Sequence, residues 1–391
     1  MTVRDATWCL VLGLALAACS PSTARQAAIT PTPVATAVSP VASPSQEPPP
    51  SLVCPGKYQT GHPLVVAALF SQAGYSGLDV FDVADPLAPM SVCAVYNAPY
   101  PIQPVQWLSP STFALVAYGQ PSLMLWVDVN DRSITIIRHL ADNTYVAVFS
   151  PDRTWLATME STADDTRFAR LYGPSGARTL ATYPPAGGHG GTIYGFGGPT
   201  IEFSPDGTLV VAVDYEANYM DATVADLQVF DLQGVQVFSA ARGAWAVWVK
   251  SALYYSGADP GDPKVYRWVL GSAPAVVMQL NWLEPAASPD GQSLAYLSFP
   301  NAPGGTMTFQ VLDTRSGASR TLAASGLRIY PLFVTSSLIW VSDLAACDSC
   351  YGGSVESGKV FAYDLATGST REVKLPEPLS RLAPASLSPD A

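Results

Sequence analysis

Along residues 53–391, short strand-like apolar runs recur between turn-forming clusters. Trp155 to Met159, Leu209 to Val213 and Leu294 to Leu297 each follow a Ser-Pro-Asp turn: Ser150-Pro151-Asp152-Arg153, Ser204-Pro205-Asp206-Gly207 and Ser288-Pro289-Asp290-Gly291. Ser388-Pro389-Asp390 recurs at the very end. Weaker counterparts are Ser109-Pro110-Ser111 before Phe113 to Ala117, Lys250-Ser251-Ala252 before Leu253 to Tyr255, and Thr335-Ser336-Ser337 before Leu338 to Val341. The markers average about 46 residues apart, a period that belongs to the blades of a propeller.

A second signal runs in phase with the first. Strand-turn units stand at Val80-Phe81-Asp82, Trp126-Val127-Asp128, Arg170-Leu171-Tyr172, Val229-Phe230-Asp231, Trp268-Val269-Leu270, Val311-Leu312-Asp313 and Ala362-Tyr363-Asp364. Three lead into plain turn chemistry, Asp231 to Gly234, Asp313 to Gly317 and Asp364 to Gly368, where Asp bonds nearby backbone and Gly supplies positive φ. The spacing is again about 47 residues. Two markers agreeing on period and count predict an all-β chain folded as a single β-propeller of seven four-stranded blades. Six or eight blades stay open, because three of the Ser-Pro-Asp turns are degenerate. Pro63 to Phe70 reads as a second blade strand and Leu382 to Asp390 as a first one, so the C-terminal strand is expected to complete the N-terminal blade and close the ring.

The Ser-Pro-Asp-Gly turns resemble the WD-like repeats of TolB-type β-propellers over most of residues 60–391. The Trp-Asp dipeptide of true WD repeats does not occur, so that family's partners do not carry over. A propeller hosts many unrelated functions, and the fold alone does not choose among them.

Composition narrows the choice. The chain is 48% apolar and 13% charged with a net charge of -11, enough for a large core and without the basic surface that nucleic acid requires. Abundant branched and aromatic residues with little Lys or Glu are the usage of a β protein.

The N-terminus points to export. Arg4 precedes an uncharged apolar stretch of 13 residues, Ala6 to Ala18, which suits a signal-peptide core and is too short to span a bilayer. It ends in Leu16-Ala17-Ala18-Cys19, which resembles the lipobox of bacterial lipoproteins. That resemblance implies a signal peptide over residues 1–18, acylation of Cys19 and a lipid anchor in the membrane. The outer face of the cell membrane and the outer membrane both remain open as the destination. Residues 19–52 read as a tether: after Cys19 they hold eight prolines, many Ala, Ser and Thr, and only two charges, Arg25 and Glu47, a composition that cannot build a packed core. Residues 53–391 form the propeller domain.

Removing Cys9 with the signal peptide and acylating Cys19 leaves Cys54, Cys93, Cys347 and Cys350. Locality pairs Cys54 with Cys93, pinning the start of the domain to the outer strand of blade 1, and Cys347 with Cys350. Four cysteines allow three connectivities. A redox or zinc role for Cys347 and Cys350 lacks the helical context or the second ligand pair it would need.

No catalytic set emerges. His62, His139 and His189 are the only histidines, and no Gly-x-Ser-x-Gly elbow accompanies them. Asp152, Asp206 and Asp290 read as turn-formers. The longer connections between second and third strands carry acidic and aromatic residues: Asp164 and Asp165; Asp214, Tyr215, Glu216, Tyr219 and Asp221; Asp259 and Asp262; Asp343, Asp348, Tyr351 and Glu356. In a propeller these loops share one face, where Asp214, Tyr215, Glu216, Tyr219 and Asp221 are the candidate ligand contacts. Carboxylates there could also hold Ca²⁺, although no EF-hand spacing occurs. Three function classes follow: a binding or scaffold module for an envelope protein, peptide or glycan; a Ca²⁺-dependent lactonase or glycan-active propeller; and a purely structural envelope component.

Overall fold

The structure is a computed structural model and describes residues 50–71, 74–96, 101–117, 121–141, 143–185, 200–214, 225–257, 263–299, 308–323, 327–346, 354–376 and 385–389. The chain divides into two units, Met1–Gln46 and Glu47–Ala391. The first, with Cys19, lies outside the described residues.

The second unit is a seven-bladed β-propeller. Seven antiparallel sheets form a ring, and six of them have four strands in sequence order. Blade 2, for example, runs Pro101–Trp107, Thr112–Ala117, Leu123–Asp128 and Ser133–His139. Blade 1 has five strands in the order Ser51–Val53, Met90–Tyr96, Gly74–Asp82, Leu64–Ser71, Ala385–Leu387. Its innermost strand therefore comes from the C-terminus, with Leu387 opposite Val65 and Ala385 opposite Ala67.

The extra outer strand begins inside the segment expected to be tether: Ser51 pairs with Tyr96 and Leu52 with Val95. The reason is local burial. Leu52 and Cys54 pack against the core between blades 1 and 2, and a disulfide joins Cys54 to Cys93 on the neighbouring strand.

Seven apolar clusters fill the seven seams between blades, each drawing on the facing sides of two sheets. Leu64, Val80, Phe113 and Leu125 lie between blades 1 and 2. Val65, Phe81, Trp340 and Val360 lie between blades 7 and 1, so the closing seam is as apolar as the rest. Alternation along each strand sends successive side chains to opposite neighbours.

The repeated turns explain the repeated sequence. The Ser204 N–H donates to the Leu209 carbonyl at 2.9 Å, and Ser204 Oγ accepts from the Leu209 N–H at 3.0 Å. Ser150 does the same for Trp155, and Ser288 for Ser293. Each serine hydroxyl donates to the aspartate two residues on, at 2.5–2.7 Å, and those bonds hold the carboxyls of Asp152, Asp206 and Asp290 below the ordinary range. The degenerate turn of blade 7 keeps the logic, with Thr335 Oγ1 accepting from the Leu338 N–H at 3.0 Å.

Candidate functional site

Within each blade the strands run antiparallel from the inside outward. Turns between first and second and between third and fourth strands therefore share one face of the ring. Connections between second and third strands, and from each blade to the next, share the other.

Two long connections of that second face start from blades 3 and 4, and a buried charged cluster lies at their feet. Arg167 opens the third strand of blade 3 (Arg167–Gly173), and its cross-strand partner is Tyr183 at the end of the fourth (Gly176–Tyr183). Asp214 follows the second strand of blade 4 (Leu209–Val213). Arg167 Nε lies 3.1 Å from Asp214 Oδ2, with both side chains buried. Arg167 Nη2 also donates to the Pro184 carbonyl at 3.0 Å, where the connection to residue 200 leaves the sheet. The Asp214 N–H donates to the Asp226 carbonyl at 2.7 Å and closes the base of the 214–226 connection. Tyr183 is fully buried and packs in the core between blades 3 and 4. Burial pushes its hydroxyl well above the ordinary value, with Asp214 and Asp226 adding to the effect and Arg167 opposing it.

This geometry changes the expected role of Asp214. Its carboxylate is not a surface contact: it is 1% exposed and paired with Arg167 beneath the loop. Tyr215, Glu216, Tyr219 and Asp221 lie outside the described residues, as do Asp259, Asp262, Asp348, Tyr351, Cys347, Cys350 and His189. Asp164 acts as a turn-former, accepting from Thr162 Oγ1 and Thr166 Oγ1. His62 Nδ1 sits 2.7 Å from Asp82 Oδ2 on the short-turn face, while His139 is exposed at the end of the outer strand of blade 2. Among the described residues, no group of three or more His, Cys, Asp or Glu side chains could hold a metal ion.

Several buried ionisable groups carry no signal in the sequence. Glu202 stands on the innermost strand of blade 4, opposite Val211. Part of its surface meets solvent, yet protein closes around the carboxyl and burial pushes it up to about 7. Asp79, inside blade 1, is pushed up to about 6 by burial, although bonds from Ser91 Oγ and the Val80 N–H oppose the shift. Glu160 accepts from Thr158 Oγ1 and Tyr172 Oη, both at 2.7 Å, and pairs with Arg170 at 3.0 Å, a polar network on the side of blade 3 that faces blade 2. A single Arg, Tyr or Glu inside a strand has no short-range pattern. Only the facing sheet reveals its partner.

No protein family matches the chain, and no curated protein matches it. Solved structures do resemble it. An oligogalacturonate lyase in complex with manganese is 12% identical, covering 82% of this chain and 89% of its own, with a TM-score of 0.49. TolB from Acinetobacter baumannii is 14% identical, covering 83% of both chains, with a TM-score of 0.44. The β-propeller domain of the Trilobed protease from Pyrococcus furiosus is 10% identical, covering 68% of this chain and 81% of its own, with a TM-score of 0.43. At such identities and overlaps no activity or ligand transfers. The propeller architecture rests on the sheet order itself.

Proposed function

We propose that this protein is a lipid-anchored extracytoplasmic binding or scaffold module, tethered through Cys19, that presents the long-loop face of its propeller to a protein, peptide or glycan at the cell envelope. One observation carries the reading: the Arg167–Asp214 pair is buried at the bases of two long connections on the same face. Binding residues belong on loops that a rigid scaffold positions, and a buried, bonded foot holds such a loop without drawing on the residues at its tip.

Two experiments test it. A photo-crosslinking residue at Tyr219 should yield defined adducts on intact cells, whereas one at the exposed Val235, on the short-turn face, should not. Adducts arising only from position 235 would overturn the choice of face. Detergent phase partitioning should send the mature wild-type chain to the detergent phase and Cys19→Ala to the aqueous phase or leave it unprocessed. Equal partitioning of the two would remove the anchor.

A further inference from the structure

The seam between blades 2 and 3 holds a cavity of about 230 Å³ that opens at the short-turn face. We propose that this cleft binds one sugar ring, at a site separate from the long-loop face and independent of it.

Register builds the site. Thr112, Asp128 and Ser133 lie side by side across the second, third and fourth strands of blade 2. Trp126 and Thr135 form the next row inward, and Arg153 reaches in from the first turn of blade 3. Hydroxyls of Ser133 and Thr135 each donate and accept. Asp128 accepts from Thr112 Oγ1 and the Asp131 N–H, both at 2.9 Å, and its side chain has acceptor lone pairs left for a ligand. Trp126 offers an aromatic surface along the wall of the cavity.

Arg153 supplies a second, independent observation. Its φ is +60°, where the matching turns of blades 4 and 6 place Gly207 at +71° and Gly291 at +63°. The left-handed conformation costs an ordinary side chain roughly 1–2 kcal/mol that glycine avoids. The retained guanidinium donates through Nη2 to the Leu108 carbonyl across the seam, and it has four further N–H donors.

The chemistry selects the ligand class. One carboxylate balances one guanidinium, so a multiply charged phosphate finds no excess of positive charge. A purely apolar guest would cover the hydroxyls of Ser133 and Thr135 without pairing them, which is costly. A sugar presents hydroxyls that donate and accept, and a C–H face that lies on an indole. Pockets for drug-sized ligands run about 300–1,000 Å³, so this smaller cavity takes a single ring.

The test is calorimetric titration of the whole chain with D-glucose, D-galactose, N-acetyl-D-glucosamine and D-galacturonate, with inorganic phosphate as the contrast. At least one sugar should bind saturably at one equivalent. Ser133→Ala, which removes an exposed hydroxyl of the lining, should weaken it about tenfold, the worth of one hydrogen bond. Arg153→Gly, which suits the turn, should also weaken it while the melting temperature shows the propeller intact. The proposal falls if none of the four sugars saturates, if phosphate binds in their place, or if both folded variants bind the sugar as wild type does.

Discussion

Ser388 Oγ accepts a hydrogen bond from the Leu64 N–H at 2.8 Å, and the Ser388 N–H donates to the Leu64 carbonyl at 2.8 Å. This is the same reciprocal pair that Ser204 makes with Leu209 five residues on, yet here 324 residues separate the partners. The last Ser-Pro-Asp turn thus works as a first-to-second-strand turn whose second strand is the start of the domain. Ring closure uses the repeat's own chemistry across the chain ends.

Ser388→Ala should therefore destabilise the propeller by roughly 1–3 kcal/mol, the cost of leaving a buried N–H without its acceptor. Deleting residues 380–391 should lower the melting temperature much further, because it removes the innermost strand of blade 1 and exposes an edge. Thermal melts check both. An unchanged melting temperature in the truncated chain would mean that the strand is not what closes the ring.

Asp79 makes stability depend on pH in an unusual direction. Its folded carboxyl is pushed up to about 6 against 3.8 for an unperturbed aspartate. Between those values the folded state binds more protons than the unfolded one, so this residue's contribution falls as pH rises from about 3.8 to about 6. Asp79→Asn keeps an acceptor for Ser91 and Val80 and removes the buried charge. It should stabilise the protein at pH 7 by on the order of 1–2 kcal/mol, with the gain disappearing at low pH. If Asp79 were ionised at no cost, wild type and Asp79→Asn would show the same pH dependence in urea melts across the window.

The Arg167–Asp214 pair should resist single substitutions. Arg167→Met leaves the Asp214 carboxylate buried without its cation, a loss of about 3–5 kcal/mol. Asp214→Asn should be costly for the converse reason. The double variant should lose less than the sum of the two, since each single change strands the other partner. Additive losses in a double-mutant cycle would show that the two side chains do not act on one another.

Removing the Cys54–Cys93 bridge by Cys54→Ser with Cys93→Ala should cost about 2–4 kcal/mol, the usual worth of a disulfide. Limited proteolysis should then cut near Ser51–Val53 first, because that three-residue strand, among the described residues, pairs with Met90–Tyr96 alone. Cleavage beginning elsewhere at the wild-type rate would show that backbone pairing alone holds it.

Short-range chemistry is what the amino-acid order by itself determined. The serine of each turn bonds the aspartate two residues on and the strand residue five residues on, and the Asp-to-Gly turns of the outer hairpins close locally through Asp231, Asp313 and Asp364. Those bonds need no knowledge of the rest of the chain, so the repeat period and the closing role of the C-terminal strand can be read from repetition, while six, seven or eight blades stay open until the sheets are seen. Tertiary structure alone decided the rest. Whether Asp214 faces solvent or Arg167 depends on which side of blade 4 meets blade 3, and that is set by the packing of two sheets. The same holds for Glu202 and Asp79, whose carboxyls shift because of what surrounds them in space, and for Ser51–Val53, whose partner strand lies about 40 residues away. The cleft beside Trp126 lies where the outer strands of blade 2 meet Arg153 from the first turn of blade 3. Space left between two sheets is a property of both, and no stretch of sequence holds it.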